Sequence, residues 1–374
     1  MSSRAYPKVE IIEEGMREGM QIESADISID AKIALLDALS ETGLSTIVVG
    51  SFVSPVWTPQ MAKIDELMAR FTPHPGVTYT ALALNEKGRE RMAHYMPPLV
   101  ESSEYPRTLV HLCDVFVRRN TNRSQQDEID LWPETIARTV ASGATSAGIA
   151  INAAWGSNWT GLFDQDYRMS MLSRQHDLWT EAGVTVDSVW IGDPMAWNVP
   201  VHVGATLRAI KEKWPQIRRF HLHLHDARGT ALLSAYEALN VLDEGDTLVI
   251  DSSIGGMGGC PYGGHGRMTR MIPTEDLVDL LNELGIPTGI DIDRLIDAAL
   301  LAEDVVGHPL WGHVSKAGPR PRGRRLFPMD LPFIETEQQA QHFRLGESVY
   351  EGARSPWREP ISSPMRDVVE QEWS

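Results

Sequence analysis

Phe220-His221-Leu222-His223-Leu224-His225-Asp226-Ala227-Arg228-Gly229 begins as a strand and ends where a helix starts. Successive strand side chains point to opposite faces, so His221, His223 and His225 share one side and Leu222 and Leu224 the other. Two imidazoles two residues apart, near the C-terminal end of a strand, are placed to share one divalent cation. The alternative is that they are satisfied core or rim histidines, and the neighbouring segments decide between the two.

Outward from this stretch, strand and helix patterns alternate in both directions. Downstream, residues 229–242 have helical periodicity, 247–251 read as a strand, and 274–284 as a helix after a glycine-rich loop. Upstream, the strands 186–191, 146–152, 108–115, 77–83 and 46–49 precede helices at 201–213, 164–182, 125–141, 86–95 and from about Pro59. The first unit is a strand at 9–13, a loop at 14–23, and a helix at 30–42 with Ile33, Leu35, Leu36 and Leu39 on one side, closed by Gly43. About eight units without a composition break predict an α/β fold, a closed (β/α)8 TIM barrel, over residues 1–305. In such barrels chemistry collects on the loops after the strands. Beyond about residue 305 the pattern weakens, and 306–374 reads as a C-terminal extension packing on the barrel or a neighbouring subunit. Its basic run, 316–325, is read as solvated surface, with phosphate binding as the alternative.

The 374 residues carry a formal charge of -17, which argues against a nucleic-acid surface. Two cysteines, Cys113 and Cys260, make no disulfide framework and suit a reducing compartment. Residues 1–8 lack an apolar leader core, and no run reaches the roughly 18 apolar residues of a membrane span. A cytoplasmic chain without membrane contact is the expectation.

Arg17-Glu18 follows the first strand, setting a permanent cation beside a carboxylate. In a barrel, Glu18 would converge with His223 and His225 to offer a cation two nitrogens and one oxygen, with positions left for substrate. An ion pair on the barrel rim is the plainer reading of Arg17-Glu18. Residues 255–266 are dominated by glycines around Cys260, a loop suited to close over a ligand. Asp193, just past the sixth strand, is a pocket candidate or a helix cap.

Four segments resemble, in order, the signature segments of the 3-hydroxy-3-methylglutaryl-CoA lyase family, among the metal-dependent pyruvate carboxyltransferase/HMG-CoA lyase (DRE-TIM) metallolyases. They are Arg17-Glu18-Gly19-Met20-Gln21, Ser51-Phe52-Val53-Ser54-Pro55-Val56-Trp57-Thr58-Pro59-Gln60-Met61, His223-Leu224-His225-Asp226 and Gly258-Gly259-Cys260-Pro261-Tyr262. The similarity runs from about Val9 to Gly285. It implies a carbon-carbon lyase that splits a 3-hydroxyacyl-CoA into an acyl-CoA and a keto product with a divalent cation, magnesium or manganese. It also implies a homodimer or higher homo-oligomer. Carried over, Glu18, His223 and His225 hold the metal, Arg17 steadies the enolate, and Cys260 serves proton transfer. Gln21, Ser51, Asp193, His265 and Arg267 become substrate-binding candidates.

Three departures accompany the resemblance. Glu18 stands for an aspartate, one methylene or about 1.5 Å further out. Val48 replaces a glutamate of the polar network. The family's metal-binding asparagine has no clean match, its place falling at Arg267 or Thr269, with His265 as a substitute ligand. Arg267 and Arg270 could hold a substrate carboxylate or a CoA phosphate, or lie on the rim. The rival functions are a CoA-independent aldolase acting on a free hydroxy or oxo acid, and a non-catalytic barrel subunit.

Overall fold

The computed structural model describes residues 5–83, 85–100, 106–263, 270–326 and 334–351. Eight parallel strands form one curled sheet: β1 (Lys8–Glu13), β2 (Thr46–Ser51), β3 (Thr78–Leu82), β4 (Arg107–His111), β5 (Ser146–Asn152), β6 (Thr185–Asp193), β7 (Arg219–Leu224) and β8 (Thr247–Ser252). Their spatial order is β3-β2-β1-β8-β7-β6-β5-β4, a barrel order cut between β3 and β4. The first and last strands are zipped in register from Lys8 opposite Thr247 to Glu13 opposite Ser252, which brings the loop after β1 to the ends of β7 and β8.

The alternation written in β7 explains why. Leu222 and Leu224 turn outward and are fully buried under helices, whereas His221 and His223 face the barrel axis with Asp251 of β8. The outer ring includes the helices Ile29–Ser40, Gln165–Glu181, Pro200–Lys213 and Ala231–Val241. Leu35, Leu36 and Leu39 of the first are fully buried, the period-3.6 stripe expected of a helix laid on a sheet.

Two elements differ from the reading of periodicity. The fourth strand stops at His111, and a helix occupies Asp114–Thr121. Cys113 caps that helix, its sulfur accepting from Phe116 N at 3.4 Å, and Asp114 sits at the positive end; an apolar run containing Val115, Phe116 and Val117 reads equally as strand or helix. The segment read as one helix over 125–141 is two, Gln125–Asp130 and Trp132–Ala141, with Pro133 opening the second.

A further helix, Ile292–Val306, follows Thr274–Glu283 with no strand between them. The chain divides into two compact units, Met1–Ala317 and Gly318–Ser374. The described part of the second unit consists of short helical turns such as Gln339–Gln341 and His342–Leu345. No helix among the described residues is long and apolar enough to cross a membrane.

Candidate active site

After β1 the chain makes one wide π-helical turn, Gly15–Gly19, in which the carbonyl of Glu14 accepts from the amides of Arg17, Glu18 and Gly19. Single π-turns are frequent at functional sites. This one swings Arg17 and Glu18 over the barrel axis rather than along the rim. The glycine-rich loop lies on top of it. Gly258 has φ +96°, and a Cβ there would come within 3.0 Å of the carbonyl carbon of Glu18, so only glycine allows the approach.

Glu18, His223 and His225 are buried and converge. Glu18 Oε1 lies 2.9 Å from His225 Nε2, Glu18 Oε2 lies 3.4 Å from His223 Nε2, and the two Nε2 atoms are 3.2 Å apart. Asp251 reaches His223 Nδ1 at 2.8 Å and His221 Nε2 at 2.6 Å. Burial would raise the Asp251 carboxyl, but His221 and His223 hold it well below the usual carboxylate range, so it accepts and His223 Nδ1 donates. That fixes the His223 tautomer with the Nε2 lone pair aimed at Glu18 and His225, the arrangement a metal-bound histidine needs. Two imidazole nitrogens and the two oxygens of one carboxylate, 2.9 to 3.4 Å apart, are near the spacing of adjacent ligands about 2.1 Å from a shared ion. His225 Nδ1 is buried without a hydrogen-bond partner. These residues fit a divalent cation. His221, on the same face, does not join the cluster; its Nε2 belongs to Asp251.

The electrostatics agree. Burial opposes charge on Glu18, yet His223 and His225, then Arg17, hold its carboxyl well below the usual range. Burial would lower His223, but Glu18 and Asp251 lift it to about 9. The pocket attracts positive charge, and without a metal a proton supplies it. Arg17 Nη1 donates to Glu18 Oε2 at 2.6 Å, and Glu14, Glu18 and Asp251 keep the guanidinium charged against its burial. The pair that could have been a rim ion pair is thus half-buried and joined to the cluster.

Glu14, given no role by sequence reasoning, is also buried. Its Oε2 stands 3.5 Å from Arg17 Nε, and neither atom has a hydrogen-bond partner. Burial pushes its carboxyl up to about 7.

Cys260 is buried in a small cluster with Cys113, Phe116, Ala153 and Met195. Burial, with Glu18 and Asp193 adding, pushes its thiol up to about 12, so it stays protonated at neutral pH. Its loop is fastened from outside: Asn158 Nδ2 donates to the Tyr262 carbonyl at 2.6 Å, and Trp197 Nε1 donates to Asn158 Oδ1 at 3.0 Å.

The other candidates are dispersed. Asp193 spends both oxygens in its own turn, on the amides of Trp197 and Asn198 and on Asn198 Nδ2, while Asn198 Nδ2 also donates to the His225 carbonyl at 2.9 Å. Ser51 is buried with an unpartnered hydroxyl, and Gln21 is exposed on the surface. The Arg270 guanidinium lies 3.8 Å over the Trp311 ring. His265 and Arg267 lie outside the described residues.

Comparison with known proteins adds to this geometry. The family model described as HMGL-like matches residues 8–301. A 3-hydroxy-3-isohexenylglutaryl-CoA/hydroxy-methylglutaryl-CoA lyase of Pseudomonas aeruginosa is 34% identical over 313 residues, covering 83% of this chain and 97% of that protein. An (R)-citramalyl-CoA lyase of Chloroflexus aurantiacus is 30% identical, covering 83% and 95%. Among solved structures, an HMG-CoA lyase from Acenitobacter baumannii in complex with coenzyme A and 3-methylmalate superposes with a TM-score of 0.67 at 25% identity, covering 88% of this chain and 99% of that one.

Proposed function

The chain belongs to the HMGL-like family, and from that premise we propose that it is a metal-dependent carbon-carbon lyase cleaving a 3-hydroxyacyl-CoA into an acyl-CoA and a keto product. The observation that carries this reading is the buried convergence of Glu18, His223 and His225, with Asp251 fixing the His223 tautomer. The relatives named above act on CoA thioesters that differ in the acyl part, which supports the reaction class more than any one substrate.

In this reading Glu18, His223 and His225 would hold the cation; the carboxylate suits magnesium or manganese, the two imidazoles suit transition metals better than magnesium, and the choice of magnesium or manganese comes from the resemblance. When bound, the ion supplies Lewis-acid stabilisation of negative charge on substrate oxygens. Arg17, held by Glu18, offers a permanent cation to the thioester oxygen, where charge grows as the bond breaks and the enolate forms. Cys260, buried and protonated, gives its proton to the enolate carbon, and the proton that the substrate hydroxyl gives up as it becomes a carbonyl restores the thiol. Asp193 acts through Asn198, which fixes the His225 backbone. Ser51 is proposed as a substrate contact because its buried hydroxyl has no other partner; Gln21, His265 and Arg267 are proposed as contacts on the resemblance alone. Residues 1–305 would then be the catalytic domain and 306–374 its extension. A homodimer or higher homo-oligomer follows from the resemblance alone. The cytoplasmic location rests on two free, buried cysteines.

The test is to incubate metal-stripped protein with 3-hydroxyacyl-CoAs, with and without manganese or magnesium, and identify products by mass spectrometry. Metal-dependent release of an acyl-CoA, falling at least ~10³-fold in His223→Ala, is the expected result. Cleavage of a free hydroxy acid but of no thioester would favour the CoA-independent aldolase. Absence of metal binding would favour a non-catalytic barrel.

A further inference from the structure

The end of β1 carries two adjacent glutamates, and strand alternation sends them to opposite faces. Glu13 turns toward the helix Thr274–Glu283 and is spent there, accepting from the amides of Gly15 and Ile254 at 2.7 and 2.9 Å and from the Thr274 hydroxyl. Glu14 turns into the barrel. It lines both a cavity of about 100 Å³ in the barrel interior and one of about 380 Å³ at the mouth. It also stands at the N-terminus of the π-turn, where an acidic side chain commonly caps its own turn, yet it makes no such bond. Its Oε2 lies 3.5 Å from Arg17 Nε instead, and both atoms are buried without a hydrogen-bond partner.

Arg17 has a use for a second carboxylate. A guanidinium presents its donors as a rigid planar fork, so one bond holds one corner and leaves the plane free to swing. That one bond is Nη1 to Glu18 Oε2 at 2.6 Å. Glu18 is already shared, because its oxygens lie 2.9 and 3.4 Å from the Nε2 atoms of His225 and His223 in the cation cluster. A carboxylate that ligates a cation has less of its lone pairs to give a guanidinium. Glu14 lies outside the ligand set and approaches the guanidinium at a different nitrogen, so it can hold Arg17 while Glu18 is engaged.

We propose that Glu14 is a positioning residue, fixing the plane of the Arg17 guanidinium from Nε while Glu18 holds Nη1. Arg17 then stays aimed at the thioester oxygen on which charge grows. The inference rests on the lyase reading above and adds a residue to it. Because a misaimed cation fails in the transition state, the loss falls on kcat more than on KM.

The experiment assays the full-length, manganese-loaded protein with 3-hydroxy-3-methylglutaryl-CoA, comparing the parent chain, Glu14→Met, Arg17→Met and the double variant. Methionine keeps the length of the side chain and removes the acceptor. Glu14→Met is expected to lower kcat at least about tenfold, with KM and manganese affinity within about threefold of the parent. In the Arg17→Met background the same change lowers kcat by less than about threefold, since Glu14 acts through that guanidinium. A full loss in both backgrounds, or a loss confined to KM, would overturn the proposal. Arginine-selective ¹⁵N spectra of magnesium-loaded protein read the contact without turnover. The Arg17 Nε–H signal, assigned by its absence in Arg17→Met, is expected to shift in Glu14→Met, and an unmoved signal would overturn the proposal. No cleavage of any thioester by the parent chain, with that signal still shifting, would remove the lyase reading and leave the hold on Arg17 standing.

Discussion

Opposite sides of the barrel mouth are built on different terms. At the ends of β7 and β8 the polar groups bind one another: Asp251 holds His221 and His223, Glu18 meets both His223 and His225, and Arg17 clamps Glu18. On the side of β2, β3 and the helix Glu86–Ala93 a cavity is lined by Val48, Ala81, Leu82, Ala83 and Met92 together with the polar side chains of Glu14, Arg17, Thr80 and Arg89, and Glu14 Oε2 and the Ser51 hydroxyl are buried without a hydrogen-bond partner. Both sides hold buried polar atoms without a hydrogen-bond partner, His225 Nδ1 on the first and Glu14 Oε2 on the second, but among the described residues it is the first that gathers three candidate metal ligands. The β7–β8 side is fixed by hydrogen bonds and ion pairs, while the β2–β3 side leaves a cavity of mixed lining.

The sharpest way to break that contrast is to loosen the fixed side without touching a metal donor. Asp251→Asn keeps the shape but removes the charge that sets the His223 tautomer. Metal affinity is expected to fall roughly 10–100-fold, read by calorimetric titration with manganese. An unchanged affinity would mean that Asp251 packs the barrel interior and does not tune the site.

A smaller effect concerns the start of the glycine-rich loop, at Gly255. Glu275 is fully buried, its Oε2 accepting from Gly255 N at 2.9 Å while Oε1 has no partner. Burial pushes its carboxyl up to about 8, from an ordinary 4.5. The folded state therefore binds this proton more tightly than the unfolded state. Its contribution is fully present below about pH 4.5 and is lost as pH rises through about 8. Glu13, raised to about 7 by burial, acts in the same sense. Glu275→Gln should flatten the fall in Tm between pH 5 and 8.5, a difference on the order of a few kcal/mol across the window. Parallel Tm profiles for the variant and the parent chain would contradict this.

The fixed side was largely legible in the sequence, and the reason is periodicity. The His-x-His spacing at the end of an apolar strand commits both imidazoles to one face whatever the rest of the chain does. The partner Asp251 was not singled out, because its role depends on register: Val249 pairs with His221, which brings Asp251 level with His223. An aspartate ending the apolar strand Thr247–Ser252 was the available signal. Glu14 was read only as loop, since nothing local announces that a π-turn will fold back and bury it.

The helix Asp114–Thr121 was hidden in an apolar run that also suits a strand, with Cys113, an uncommon cap, at its start. The cavity could not be read at all. Val48 of β2, Ala81 and Leu82 of β3 and Met92 of the helix Glu86–Ala93 look like ordinary core, and only their assembly shows that they leave space.

Manganese titration of the metal-stripped chain at pH 7, in buffers of different ionisation enthalpy, tests the central claim most directly. His223, lifted to about 9, carries a proton when no metal is present and must release it to become a ligand. The account predicts about one ion bound per chain, about one proton released, and an affinity that rises with pH toward 9, with binding abolished in Glu18→Ala. Equal binding by Glu18→Ala, or binding without proton release, would contradict it.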